Sequence, residues 1–131
     1  MSSKKRHLLP FRSPAVLILW ADALFEAVLA AACFVLASNL AGWFDLPRAT
    51  FWVLGGALAL ASAGLGWMAW QRAIGWLPGI ATANAATGAA LWALAPFAWG
   101  GFSPEGRWLA SAVANACLLI GLTQWLAWRR P

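Results

Sequence analysis

Residues 20–33 read WADALFEAVLAAAC, and two carboxylates, Asp22 and Glu26, lie four positions apart in this otherwise apolar segment. Side chains four residues apart lie on the same face of an α-helix. An acidic side chain at the centre of a membrane-spanning helix costs roughly 2.5–3.5 kcal/mol on insertion scales. Some other interaction must therefore offset this cost, which makes the pair the first candidate for a functional site.

The composition of the whole chain is that of a membrane protein. Of its 131 residues, 63% are hydrophobic and 10% are charged. A soluble domain has about 25% charged and 45–50% apolar residues. The net charge of +5 does not indicate nucleic-acid binding, because the basic residues lie at the ends of apolar segments rather than along one face. The expected environment is a lipid bilayer.

The apolar segments predict an all-α bundle of four transmembrane helices. Residues 1–13 form a basic cytoplasmic N-terminal tail, and residues 14–131 form a single transmembrane domain. The connections are short, including a turn-rich loop at 39–48, so neighbouring helices are expected to be antiparallel and to form two hairpins. Ser103 is expected to cap the last helix. The four spans cover about 15–38, 49–71, 77–97 and 106–128.

The distribution of lysine and arginine predicts that both termini lie in the cytoplasm. With this orientation the outer side of the membrane carries only Arg48 and Arg107. Such a bias follows the positive-inside rule and indicates a bacterial inner membrane. The chain is also rich in tryptophan, with 11 residues, most of them expected at the two membrane interfaces. The cytoplasmic side carries Lys4, Lys5, Arg6, Arg12, Arg72, Arg129 and Arg130.

A shift of 58 positions aligns the two halves of the chain without a gap and predicts an internal repeat. The strongest match is a W-x-A-W-x-R pattern, which occurs at 67–72 and again at 125–130. Both halves begin on the cytoplasmic side, so the repeat would be parallel, with a pseudo-twofold axis along the membrane normal.

The repeat also aligns Glu26 with Asn84, and both residues are expected near the middle of their spans. Asn115 has a similar predicted depth on the fourth span, and Asp22 lies one turn from Glu26. Glu26, Asp22, Asn84 and Asn115 are therefore predicted to form one intramembrane site. Two interpretations stay open, a site that binds a proton and a cationic group, or polar side chains that fix the helix register. Gln124 is interpreted as structural, near the cytoplasmic interface.

Signatures of enzymes and of cofactor sites are absent from the sequence. The only histidine, His7, lies in the basic tail, and there is no GxSxG, HExxH or phosphate-binding loop. Cys33 and Cys117 lie in apolar segments without metal-ligand spacing. We therefore expect neither a metal nor a cofactor, although a carboxyl pair alone can perform acid–base chemistry.

In layout the chain resembles small multidrug resistance transporters, through four short helices and an embedded glutamate, Glu26, in the first span. The resemblance covers the architecture and Glu26 only. The first functional hypothesis, drawn from the predicted intramembrane site, is binding or transport of a proton plus a small cation or amphiphilic ligand. Four helices barely enclose a path, so transport would need a homo-oligomer. The alternative is a non-catalytic subunit or scaffold that contacts a membrane-protein partner, a pigment or lipid. A third hypothesis is a membrane enzyme that acts on a lipid substrate.

Overall fold

The computed structural model describes residues 13–129, of which 91% are helical and none forms a strand. This confirms the predicted all-α class. The described part has five α-helices, and two short 3-10 helices, Ile74–Trp76 and Trp99–Gly101, flank the fourth. The α-helices are α1 (Pro14–Val35), α2 (Ala37–Phe44), α3 (Arg48–Trp70), α4 (Leu77–Ala98) and α5 (Pro104–Arg129).

Three of these helices, α1, α3 and α5, are long and apolar enough to cross a membrane. They contain 22, 23 and 26 residues, which corresponds to about 33–39 Å at 1.5 Å per residue, against a hydrocarbon core of about 30 Å. Helix α4 also has 22 residues. Its polar residues Thr82, Asn84 and Thr87 lower its mean hydropathy. The chain is thus a helical protein with the features of an integral membrane protein.

The prediction of four helices is wrong in the region of residues 36–44. Helix α1 ends at Val35, Leu36 leaves helical geometry with φ −102° and ψ 17°, and the expected loop is mostly the eight-residue helix α2. Backbone hydrogen bonding continues through the break, since Leu36 N–H and Leu36 C=O are both bonded. Leu40 is 3% exposed and packs with Phe51. Burial of Leu40 therefore outweighs the local turn preference of its neighbours.

The long helices pack in two pairs, α1 with α3 and α4 with α5, and a smaller contact between α1 and α5 joins the pairs. One apolar cluster lies where α1 and α4 begin and α5 finishes, and we name this the N-terminal end of the bundle. It contains Leu19, Leu65 and Leu77. A second cluster, around Cys33, Leu40 and Phe51, lies at the α2 end.

Glycines allow α4 and α5 to approach each other closely. A Cβ atom at Gly88 of α4 would lie 2.6 Å from the carbonyl oxygen of Ala114 in α5. A Cβ atom at Gly121 of α5 would lie 2.8 Å from the carbonyl oxygen of Ala81 in α4. Small residues at such positions are the usual means by which membrane helices pack without the hydrophobic effect.

The outer surface of the bundle is apolar on all of its long helices. Leu24 of α1, Leu60 of α3, Phe97 of α4 and Trp108 of α5 are between 66% and 86% exposed. Monomeric soluble proteins rarely expose continuous apolar surface of this kind, and a lipid-facing surface does so by necessity. The exterior therefore agrees with the membrane class that the composition indicates.

Candidate intramembrane polar site

Asp22 is the centre of a closed set of hydrogen bonds that joins α1, α4 and α5. Its Oδ2 atom accepts from Asn84 Nδ2 at 2.8 Å and from Gln124 Nε2 at 2.6 Å. Asn84 Nδ2 also donates to Gln124 Oε1 at 3.0 Å. Asp22 is 1% exposed and Gln124 is 0% exposed. We name these three residues the Asp22 triangle.

Local sequence places each member of the triangle on the packed face of its helix. Asp22 follows Leu19 by three residues on the buried side of α1. Gln124 follows Gly121 by three residues on the side of α5 that packs against α4. Asp22 lies about 12 Å, and Gln124 about 8 Å, from the N-terminal end of the bundle at 1.5 Å per residue. The triangle therefore lies inside the bundle, clear of either end.

Helix α3 supports α1 directly beside the triangle. Ser62 Oγ of α3 donates a hydrogen bond of 2.7 Å to the carbonyl oxygen of Ala23, the residue after Asp22. All four long helices therefore contribute a polar group at this level of the bundle. The position of the Asp22 carboxyl is fixed from both helix pairs.

Glu26 lies one turn of α1 beyond Asp22, towards the α2 end. Its side chain is half-buried, and its Oε2 atom is buried with no hydrogen-bond partner among residues 13–129. Asp22 Oδ1 is likewise buried and has no hydrogen-bond partner among these residues. Both carboxyls lie near the buried Cys117 of α5. The two acidic groups thus lie close together between α1 and α5, and of the two only Asp22 accepts side-chain hydrogen bonds from residues 13–129.

The structure brings together three of the four predicted site residues. Asp22 and Asn84 are in direct contact, and Glu26 occupies the adjacent turn. Asn115 does not join them, contrary to the prediction. It is exposed on the outside of α5, where its Oδ1 accepts from Trp92 Nε1 at 3.1 Å. The buried residues of α5 lie on the opposite side of the helix, which turns Asn115 away from the cluster.

Gln124 is the member of the site that sequence reasoning missed. A signal for it was present in the spacing of small residues along α5, where Ala110, Ala114, Cys117 and Gly121 recur every three or four positions. Gln124 continues that series and so lies on the packed face. A buried glutamine on this face needs hydrogen-bond partners, and the only carboxyl at its depth is that of Asp22.

The chemistry available to the site is that of two carboxyls and two amides. Within residues 13–129 there is no group of three histidine, cysteine or acidic side chains able to hold a metal ion. The amides of the triangle act as donors towards Asp22, while Glu26 Oε2 and Asp22 Oδ1 remain as acceptors. Such an arrangement can hold a proton, or attract one positive charge to the carboxyl pair.

Comparison of the chain with protein-family models, with curated protein sequences and with solved structures gives no match.

Proposed function

We propose that the chain is a small polytopic protein of a bacterial inner membrane in which the Asp22–Glu26 pair binds a proton together with a small cation or an amphiphilic cation. The proposal includes four membrane crossings, with both termini in the cytoplasm. The extensive packing of α4 against α5 supports the fourth crossing. The excess of lysine and arginine on one side supports the orientation.

The observation that carries the proposal is the difference between the two carboxyls. Asp22 accepts two hydrogen bonds on one oxygen, which compensate a negative charge there. Glu26 has a buried oxygen with no partner in the described part of the chain, four residues from Asp22. An uncompensated carboxylate next to another acidic group in apolar surroundings is unfavourable. Binding of a proton or of a cation at Glu26 removes that cost.

The two carboxyls would then have different roles. Asp22 is too deeply buried for a ligand to reach it, so it acts by its charge and fixes the geometry. Glu26 is half-buried and is the group that meets the ligand. Neither of the two described surface cavities, of about 510 and 240 Å³, is lined by Asp22 or Glu26. A proton therefore fits the site directly, and an amphiphilic cation would approach Glu26 from the bilayer.

The lipid-enzyme hypothesis draws on no separate observation, since neither of those two cavities is lined by a pair of acidic residues. The subunit or scaffold hypothesis draws on a separate observation, the polar side chain of Asn115 on the outside of α5.

The test is carboxyl infrared spectroscopy of the protein in lipid nanodiscs, with and without tetraphenylphosphonium as a lipophilic cation. We expect a carboxyl band that titrates, is lost in Glu26→Gln and moves when the cation is added. Asp22→Asn is the matched variant, and it should change the titration of the Glu26 band without removing it. A Glu26 band that stays protonated at every pH and ignores the cation would refute the proposal and assign Glu26 a structural role.

A further inference from the structure

The outward side of α5 carries a stripe of exposed side chains with the spacing of a coiled coil. Successive members are separated by four, three, four, three and four residues, the heptad pattern. The pattern extends over about 27 Å at 1.5 Å per residue, close to the thickness of a bilayer core. We name it the α5 stripe, and its members are Trp108, Ala112, Asn115, Leu119, Leu122 and Leu126.

Asn115 distinguishes this stripe from an ordinary lipid-facing surface. It lies eleven residues after Pro104, about 16 Å from that end of α5, which is near the middle of the bilayer. In the described part of the chain its side chain makes one hydrogen bond, from Trp92 Nε1 to Oδ1, and Nδ2 donates none. Lipid tails offer an amide no partner, so a primary amide at this depth is unfavourable against lipid alone.

We propose that the α5 stripe is the interface of a parallel homodimer. The inference rests on the membrane-spanning part of the proposed function and is independent of the proton and cation site. Copies that insert in one orientation form a twofold pair about the membrane normal, so each stripe residue faces its own copy. An amide is self-complementary in that position, because Asn115 Nδ2 can donate to Oδ1 of the partner's Asn115 and the reverse bond can form.

The remaining stripe residues agree with this arrangement. Leu119, Leu122 and Leu126 are 63%, 54% and 43% exposed, and Ala112 leaves room for close approach. A heptad repeat with one asparagine is the pattern that fixes register and oligomeric state in two-stranded coiled coils. It gives a left-handed crossing of about 20°. Glu105 continues the same face and would meet its own copy, so the interface ends at Trp108.

Disulfide formation between single-cysteine variants in native-like vesicles tests the geometry. With Cys33→Ala and Cys117→Ala as background, Leu119→Cys and Leu122→Cys should cross-link readily, because facing positions bring Cα atoms within about 7 Å. Leu60→Cys is the matched control, since its side chain is 77% exposed but belongs to α3, which is outside the proposed interface. Equal cross-linking at 60 and 122, or none at 119 and 122, would overturn the proposal.

Energy transfer between labelled copies at graded lipid dilution tests the role of the amide. Asn115→Leu should weaken dimerisation roughly tenfold, the effect of losing the reciprocal hydrogen bonds in a membrane. Thr123→Val and Glu26→Gln should dimerise as the native chain does, and the second of these separates the dimer from the proton and cation site. Unchanged dimerisation in Asn115→Leu would overturn the inference. So would purification of the native chain as a complex in which a different membrane protein contacts the α5 stripe.

Discussion

The substitution Gln124→Met removes one corner of the Asp22 triangle while keeping an unbranched side chain of similar length. Gln124 is fully buried. Its Nε2 atom donates a hydrogen bond of 2.6 Å to Asp22 Oδ2, and its Oε1 atom accepts one of 3.0 Å from Asn84 Nδ2. A hydrogen bond between membrane helices averages about 0.6 kcal/mol, with a maximum of about 1.7 kcal/mol. Bonds to a charged group reach about 1.5–3 kcal/mol in water-soluble proteins. Loss of both bonds should lower the free energy of unfolding by about 1–3 kcal/mol.

The assay is reversible unfolding in mixed micelles, followed by helical circular dichroism and tryptophan fluorescence. Thr123→Val is the matched control, because the Thr123 hydroxyl is exposed and bonds only to the carbonyl of Ile120 in its own helix at 2.8 Å. It should change stability by less than about 0.5 kcal/mol.

A double-mutant cycle separates the hydrogen bond from general packing. In an Asp22→Ala background the donor at residue 124 has lost its acceptor, so Gln124→Met should cost at least about 0.5 kcal/mol less than it does in the native chain. The reasoning is refuted if Gln124→Met is as harmless as Thr123→Val, or if its cost is the same with and without the Asp22 carboxyl.

Two further predictions concern helix packing and use the same unfolding assay. Gly88→Ala should destabilise the protein by about 1–3 kcal/mol, because the added methyl group would overlap the carbonyl of Ala114 and force α4 from α5. Gly56→Ala, where a Cβ meets nothing within 4 Å, should instead be neutral or stabilising by up to about 1 kcal/mol. Ser62→Ala should cost about 0.5–1.5 kcal/mol through loss of its 2.7 Å bond to α1. Thr82→Val is the control, because the Thr82 hydroxyl is exposed and bonds only within its own helix. It should lower the free energy of unfolding by less than Ser62→Ala does, and an equal loss of stability in the two variants would contradict an interhelical role for Ser62.

The sequence was sufficient to identify the all-α class, the long apolar helices and Asp22 as a member of the polar cluster, because a charge inside an apolar segment is easily recognised. It was also sufficient to bring Asn84 to Asp22, since depth along a helix follows from residue number. The helix α2 was not predicted. Its residues favour turns locally, and its stability comes from the packing of Leu40 with Phe51 of α3 and with Leu109 of α5, which is distant in the chain.

The rotation of α5 about its axis was the second feature that was not predicted, because the prediction used hydrophobicity and depth and not the spacing of small residues. Asn115 and Gln124 are nine residues apart, which is about 180° at 100° per residue, so they lie on opposite sides of α5. Both sides are apolar, and hydrophobic periodicity therefore does not show which one packs inward. Contact with Gly88 and Ala81 of α4 decides it, and places Gln124 inside and Asn115 outside.

The Asp22 triangle also has a consequence for the order of biosynthesis. Its members are separated by 62 residues between Asp22 and Asn84 and by 102 residues between Asp22 and Gln124. At about 5–20 residues per second, ribosomal synthesis takes about 5–20 s to extend from Asp22 to Gln124. During that interval Asp22 lacks first both of its hydrogen-bond donors and then, once Asn84 has been synthesised, only Gln124. Until α5 is inserted, the Asp22 carboxyl must therefore be protonated or be in contact with water or the translocation machinery.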